Sequence, residues 1–260
     1  MAKNLKRVNN DFYDQLGERW LTAQDDPVAL LRTEGIVKQA WMESQLQVRL
    51  GTSPLRILDI GCGAGFWANR MADLGHRVQG LDYSFNSLRM ARISETSGTL
   101  AQFHRGDALR LPFQDASFDV VCAMDFLEHV ENPGAVIFEA SRVLKPSGLF
   151  FFHTFNRNFL AWLIIIKGLE WFVRNTPKDM HVLRLFITPK ELEDYCNESG
   201  MKVLAWTGVR PDIMRTAFWK MLFTGVVPRD FRFVLTPSLR LSYLGVAEKE
   251  RFTEEAQPPN

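Results

Sequence analysis

The sequence predicts an α/β protein with a doubly wound parallel sheet. Two observations lead to this fold class. Residues 55–154 alternate five times between short apolar, strand-like runs and helical segments, and a glycine-rich turn, Gly61-Cys62-Gly63-Ala64-Gly65, follows the first run. Ligands of such sheets bind at the carboxyl ends of the strands. We therefore expect the site at that edge of the sheet. The chain has 260 residues, 46% of them hydrophobic, which is enough to build a full core.

Helical segments precede the first predicted strand. Asn9 to Trp20 and Pro27 to Leu50 carry apolar residues at helical intervals, and Gln24-Asp25-Asp26 separates them. We assign residues 1–50 to a helical extension packed on the core, residues 51–250 to the main domain and residues 251–260 to a disordered tail.

Five strands are predicted in the first part of the main domain. They are Arg56–Ile60, Arg77–Leu81 ending at Asp82, Leu100–Arg105, a fourth run that enters from Asp115 and ends near Met124, and a fifth after the turn at Lys145-Pro146-Ser147-Gly148. Gly61, Asp82, Asp107 and Met124 fall at the ends of these strands. One cleft should therefore collect them.

The alternation stops after Thr154. Residues 156–187 are an insertion, and Thr188-Pro189-Lys190-Glu191 has the capping pattern that begins a helix. Met201–Thr207 and Leu241–Glu248 are the last two predicted strands, which makes seven in all. Between them, Trp219–Phe223 indicates a helix.

The glycine loop is typical of a nucleoside site, and its neighbours favour a cationic ligand. Asp59 adds negative charge before the loop, and Phe66 occupies the position where the dinucleotide fingerprint requires its third glycine. S-adenosylmethionine (SAM) has no phosphate and carries a positive sulfonium and amino group. Asp82, at the end of the second strand, can accept hydrogen bonds from ribose hydroxyls. A nicotinamide cofactor and a tight turn without a ligand are the alternatives.

Composition limits the compartment and the partners. The net charge of +1 gives no reason to expect nucleic acid, and the three cysteines form no metal spacing and no disulfide framework. The N-terminus lacks an apolar signal core, and no apolar run is long enough to span a bilayer. We expect a cytoplasmic protein.

An acid–histidine cluster follows the fourth strand. Asp125, Glu128 and His129 are spaced so that a helical turn would project all three to one face. Such a set can bind a divalent ion such as Mg²⁺. Alternatively, His129 is a general base oriented by one of the acids. Acidic residues also favour helix N-termini without any catalytic role.

The ordered set of motifs resembles the class I SAM-dependent methyltransferases. Asp59 with Gly61, Gly63 and Gly65 matches their loop, Asp82 their ribose-binding acid, and Gly106-Asp107 the place where an acid reads the adenine amino group. The resemblance implies a Rossmann-like, seven-stranded sheet. It also implies a SAM site that includes Tyr83 and Ala108, which follow Asp82 and Asp107 directly.

Three further stretches resemble the ubiquinone-biosynthesis O-methyltransferases over roughly residues 9–209. They are Phe12 to Trp20, Met124-Asp125-Phe126-Leu127-Glu128-His129-Val130, and the insertion from Thr154 to Pro189. The resemblance implies that Arg19 binds the SAM carboxylate, that Met124 contacts SAM, and that Asp125, Glu128 and His129 hold a metal and act in catalysis. Asp125 stands where that family has glutamate, and residues 210–237 do not match it.

The implied reaction is methylation of a phenol or catechol hydroxyl on a polyprenyl intermediate of ubiquinone biosynthesis. The alternatives are a methyltransferase for another small-molecule or lipid acceptor and a SAM-binding, membrane-associated partner without turnover. The insertion is amphipathic, and residues 157–174 combine an apolar run with Trp162, Trp171 and basic flanks. We expect peripheral contact with the inner face of the cytoplasmic membrane; packing on the core, or a lid over the acceptor, is the alternative.

Overall fold

A computed structural model describes residues 8–96, 98 and 100–251 of the chain. Within them, one eight-stranded sheet has the order β3-β2-β1-β4-β5-β8-β6-β7. The strands are β1 (Arg56–Ile60), β2 (Arg77–Asp82), β3 (Ala101–Arg105), β4 (Phe118–Met124), β5 (Leu144–Phe155), β6 (Met201–Pro211), β7 (Phe233–Thr236) and β8 (Ser242–Lys249). The first five pair in parallel, and β8, β6 and β7 pair antiparallel beyond β5.

Helices cover both faces of the sheet. They are α1 (Asp11–Gln15), α2 (Arg19–Thr22), α3 (Pro27–Leu50), α4 (Phe66–Asp73), α5 (Phe85–Ile93), α6 (Pro133–Val143), α7 (Phe159–Ala161), α8 (Gly168–Phe172), α9 (Pro189–Glu198) and α10 (Thr216–Thr224). A π-helical segment, Trp162–Lys167, joins α7 to α8. The doubly wound α/β prediction is confirmed.

Two apolar layers form the core. One contains Leu58, Ile60 and Val121 from the parallel strands with Ile137 of α6 and Leu192 of α9. On the opposite face, other strand residues pack with side chains of α3 and α4, including Met42 and Met71. Strand residues thus face both layers, as expected for a parallel sheet buried on both sides.

The prediction of seven strands is wrong by one. The additional strand, β7, is only four residues long and pairs with the end of β6, which continues to Pro211 instead of stopping at Thr207. Four residues at a sheet edge show too little alternation to be recognised as a strand.

The N-terminal segment also differs from its prediction. The helix expected over Asn9 to Trp20 is divided into α1 and α2, because Gly17 adopts a left-handed φ of +50° between them. The start of α9 follows its prediction, since Thr188 and Glu191 form a reciprocal capping box.

Residues 252–260, most of the predicted tail, lie outside the described residues. In the part of the chain that is described, no helix is both long enough and apolar enough to cross a membrane.

Candidate active site

The glycine loop lines a cavity of about 780 Å³ at the carboxyl edge of the parallel strands, which we call the loop cavity. Gly61, Gly63 and Gly65 have left-handed φ angles of +70°, +51° and +77°. A Cβ atom on Gly61 would lie 2.2 Å from Cδ2 of Phe126, another residue of the cavity wall. Glycine is therefore required at position 61 both by backbone conformation and by space.

Two carboxylates face the loop cavity from β1 and β2. Asp82 accepts hydrogen bonds from the Gly63 N–H (2.9 Å) and the Ser84 N–H (2.8 Å), which fixes the acid against the loop. Asp59 is almost fully buried, and burial together with the nearby Asp82 raises its pKa to about 8. A cationic ligand would stabilise the ionised form of Asp59, so the cavity favours positive charge.

Other residues of the predicted SAM site also line the loop cavity. Tyr83, Asp107, Ala108 and Met124 do so at the ends of β2, β3 and β4. Tyr83 is 74% exposed and its ring lies under the Arg105 guanidinium. The topology thus brings these four residues to one wall.

Arg19 lies elsewhere. Its guanidinium binds Asp25 (2.8 Å) and Asp26 (2.9 Å) in the turn before α3, and it does not line the loop cavity. The expected contact of Arg19 with the SAM carboxylate does not agree with this position. The ion pairs are local in sequence, and they draw the side chain away from the cavity.

A second cavity of about 640 Å³ adjoins the first, and we call it the apolar cavity. Tyr13, Leu31, Asp125 and His129 line both cavities. The walls of the apolar cavity come from α3, the insertion and the segment after β6. They include Leu30, Leu163, Leu169, Phe218, Leu222 and Phe231. Residues 210–237, which matched no motif, thus contribute one side of this cavity.

The acid–histidine cluster is divided, which corrects the expectation of a single helical face. Asp125 has a left-handed φ of +54°, and only Leu127–His129 form a helical turn, of the 3₁₀ type. Asp125 Oδ2 lies 2.5 Å from Lys38 Nζ, and its Oδ1 lies 2.6 Å from His153 Nδ1. Burial alone would raise the pKa of Asp125, but the Lys38 ammonium and His153 outweigh it and hold the pKa well below its usual value.

Glu128 and His129 instead lie beside His181 of the insertion. One ligand atom from each of these three residues falls within 4.8 Å of the others. Thr154 donates a hydrogen bond to Glu128 Oε2 (2.9 Å), while the buried Oε1 has no partner among the described residues. Burial and the charge of Asp125 raise the pKa of Glu128 to about 8.

His129 is held in a defined orientation. Its Nδ1 lies 3.1 Å from Asn10 Oδ1, its Nε2 lies 3.5 Å from the Tyr13 hydroxyl, and Asn10 Nδ2 donates to its backbone carbonyl (3.2 Å). Burial lowers the pKa of His129 to about 4 and that of His181 to about 3. Both imidazoles are therefore neutral at pH 7, the form that binds metals or accepts protons.

Sequence reasoning missed several residues of this site. Glu34, Lys38, His153 and Tyr13 were not singled out, and His181 was noted only as part of the insertion. Each contacts the cluster from a distant part of the chain, so no local spacing marks it. Glu34 and Lys38, spaced four residues apart on a predicted helix, are a sequence signal that could have drawn attention to this pair.

Residues 58–152 match the family model for a methyltransferase domain. The chain is 32% identical over 201 residues to a ubiquinone biosynthesis O-methyltransferase of Aromatoleum aromaticum, covering 76% of this chain and 83% of that protein. It is 34% identical over 206 residues to a protein of the same name from Paracidovorax citrulli, covering 72% and 87%.

Among solved structures, magnesium protoporphyrin IX methyltransferase of Synechocystis with bound SAH is similar, with a TM-score of 0.62 over 92% of this chain and 97% of that chain. At 17% identity this likeness concerns the fold alone.

Proposed function

The chain belongs to the ubiquinone biosynthesis O-methyltransferases, a family of SAM-dependent methyltransferases, and we propose that it methylates a phenolic hydroxyl of an acceptor with a long apolar tail. This membership confirms the predicted enzyme class, SAM as the cofactor and O-methyl transfer as the reaction. The acceptor that we propose is a polyprenyl phenol or catechol of ubiquinone biosynthesis.

One observation carries this proposal: the apolar cavity meets the loop cavity at Tyr13, Leu31, Asp125 and His129. A phenol ring at this junction would present its hydroxyl to a methyl donor in the loop cavity. Its tail would occupy the apolar cavity, where each buried CH₂ group contributes about 0.8 kcal/mol. The polar groups lie at the junction and the apolar walls lie beyond it, as such an acceptor requires.

We propose that SAM occupies the loop cavity. The glycine backbone would contact the donor closely, Asp82 would accept from the ribose hydroxyls, and Asp59 would face the positive end of the ligand. The phenolic oxygen would then attack the methyl carbon while the carbon–sulfur bond breaks. Holding oxygen, carbon and sulfur in line lowers the barrier by several kcal/mol.

The phenol must lose its proton, and two arrangements of the junction serve this step. Neutral His129 Nε2 can accept the proton, or Glu128, His129 and His181 can hold a divalent ion. Glu128 Oε1, which has no partner in the described part of the chain, and the two neutral imidazoles fit an ion. This donor set suits Zn²⁺ or Mn²⁺ better than Mg²⁺. A bound ion would lower the pKa of a coordinated phenol.

We favour the metal arrangement, because an imidazole with a pKa of about 4 is a weak base for a phenol with an ordinary pKa near 10. The same lone pair of His129 cannot serve both roles. Chelation therefore distinguishes them.

Membrane contact is part of the proposal. Trp171 on α8 and Trp219 and Phe223 on α10 are exposed by 63%, 52% and 87%. Both helices also line the apolar cavity. Two basic residues are close in sequence to these aromatic side chains: Arg174 follows α8, and Lys220 lies on α10. A surface of this kind suits the bilayer interface, from which a polyprenyl acceptor would enter.

The test has two parts. Purified protein is incubated with labelled SAM and a panel of phenols, catechols and carboxylates with and without prenyl tails, and a strain lacking the gene is analysed by mass spectrometry of its quinone intermediates. We expect transfer to tailed phenols or catechols and accumulation of a demethyl polyprenyl intermediate. Transfer only to untailed or carboxylate acceptors would contradict the proposed acceptor, and absence of any transfer would favour a non-catalytic role.

A further inference from the structure

A buried lysine lies among three side chains that together could bind a metal ion. Glu34 and Lys38 are four residues apart on α3, Asp125 follows β4 and His153 belongs to β5. Ligand atoms of Glu34, Asp125 and His153 fall within 4.8 Å of one another. We call these three residues the cage.

The Lys38 ammonium lies within this cage. Its Nζ is 2.5 Å from Asp125 Oδ2, 3.4 Å from Glu34 Oε2 and 3.5 Å from His153 Nδ1. Lys38 is only 3% exposed. A single cation thus contacts all three potential ligands.

Among the described residues, Lys38 is the only lysine or arginine that forms an ion pair with Glu34 or Asp125. Ser242 approaches Glu34 Oε1 at 3.4 Å through its hydroxyl, and His153 Nε2 lies 3.6 Å from the same oxygen with no hydrogen-bond partner among the described residues. Glu34 is buried and the Asp125 side chain is only 16% exposed, so these two carboxylates without a cation would carry a large desolvation cost. Lys38 offsets that cost as a divalent ion would.

The cage also lies at the site. Lys38 lines the loop cavity, Glu34 lines the apolar cavity and Asp125 lines both. Lys38 therefore determines how Asp125, with its left-handed backbone, is presented at the junction.

We propose that Lys38 is a built-in cation that fills the cage in place of a divalent ion and positions Asp125 to orient the acceptor oxygen at the junction. The orienting role depends on the proposed function, whereas the occupancy of the cage does not. Asp125 is then committed to Lys38, and any metal at the junction binds to Glu128, His129 and His181 instead.

The first test is a gain of metal binding. Lys38→Ala removes the ammonium and leaves the two carboxylates and the imidazole, a set suited to Mn²⁺. Bound Mn²⁺ is counted by electron paramagnetic resonance in wild type, Lys38→Ala, the double variant Lys38→Ala/Asp125→Ala, and Lys249→Ala. Lys249 is a suitable control because its ammonium donates to the carbonyls of Ser141 and Leu144 and forms no ion pair with a carboxylate of the described residues.

We expect Lys38→Ala to bind one Mn²⁺ more per chain than wild type, and Mn²⁺ to raise its melting temperature. The double variant and Lys249→Ala should bind no more than wild type. Equal binding by Lys38→Ala and wild type would overturn the proposal that Lys38 fills a metal cage. This result requires no methyl transfer, so it is separate from failure of the proposed function.

The second test keeps the side chain long, in case Lys38→Ala does not fold. Lys38→Gln removes the charge and shortens the side chain by one atom, whereas Lys38→Arg retains the charge. We expect Lys38→Gln to lower kcat at least tenfold while the Kd for SAM stays within twofold, and Lys38→Arg to recover most of kcat. A Lys38→Gln enzyme with wild-type kcat, or equal losses in both variants, would refute the positioning role.

Discussion

Replacing Gly61 by alanine tests the close packing of the glycine loop. The new Cβ would lie 2.2 Å from Cδ2 and 2.7 Å from Cγ of Phe126, well inside van der Waals contact. The ring of Phe126 lines the loop cavity and must therefore move or the loop must shift. Either change alters the surface that we assign to SAM.

The expected magnitude has two parts. A non-glycine residue at a φ of +70° costs roughly 1–2 kcal/mol of stability, and overpacking against a ring costs about 1–3 kcal/mol more. Gly200→Ala is the matched control, since Gly200 has a φ of +69° and the alanine Cβ would have none of the described atoms within 4 Å. Gly200→Ala should therefore show only the conformational part.

Chemical denaturation and calorimetric titration with SAM measure both effects. We expect Gly61→Ala to lose about 2–5 kcal/mol of unfolding free energy and to bind SAM at least tenfold more weakly, about 1.4 kcal/mol. Gly200→Ala should bind SAM as wild type does. Adding Phe126→Ala to Gly61→Ala should recover part of the affinity. A Gly61→Ala protein with wild-type affinity for SAM, or a double variant with no recovery, would refute the reasoning.

Four further predictions concern proton release, the pH dependence of stability, metal and membrane. SAM binding near pH 7 should release a proton, because the positive ligand ionises Asp59, whose pKa in the free protein is about 8; calorimetry in two buffers of different ionisation enthalpy measures this, and Asp59→Asn should lose it. Without ligand, the pKa of Asp59 is higher in the folded protein than in the unfolded chain, so its contribution to the free energy of unfolding should fall as the pH rises from about 4 toward 8. Chemical denaturation of wild type and Asp59→Asn across this pH range measures the fall. Chelation, or His181→Ala, should lower kcat at least tenfold with SAM affinity unchanged; full activity after chelation would favour His129 as the base. The pair Trp219→Asp and Phe223→Asp should weaken binding to anionic vesicles at least fivefold in a sedimentation assay, whereas Val48→Asp, on exposed α3 surface, should not; equal binding by all would contradict the membrane surface.

The fold follows from local patterns to a large extent. The apolar runs of β1, β2, β3 and β4 are long enough to be recognised, and the capping box at Thr188 marks the start of α9. The edge strand β7 was missed because four residues carry little pattern, and the break at Gly17 depends on a single glycine. Short elements are fixed by their partners more than by their own sequence.

The residues of the site likewise fall into those that local sequence patterns identify and those that only packing brings together. Loop residues and Asp82 were found because their spacing is local and their places follow from strand order. Lys38 meets Asp125 across 87 residues and His153 across 115, and such pairings depend on packing that no spacing encodes. The metal set was predicted on a helical turn, but the left-handed Asp125 turns that carboxylate away from Glu128 and His129.

The central claim is that the apolar cavity binds the tail of a phenolic acceptor beside SAM. The most direct measurement is kcat/KM for one catechol carrying no prenyl unit, one unit, two units and longer tails. Burying the five carbons of a unit contributes up to about 4 kcal/mol, so we predict a rise of at least tenfold for the first unit and a plateau once the cavity of about 640 Å³ is filled. A kcat/KM that does not change with tail length would contradict the account.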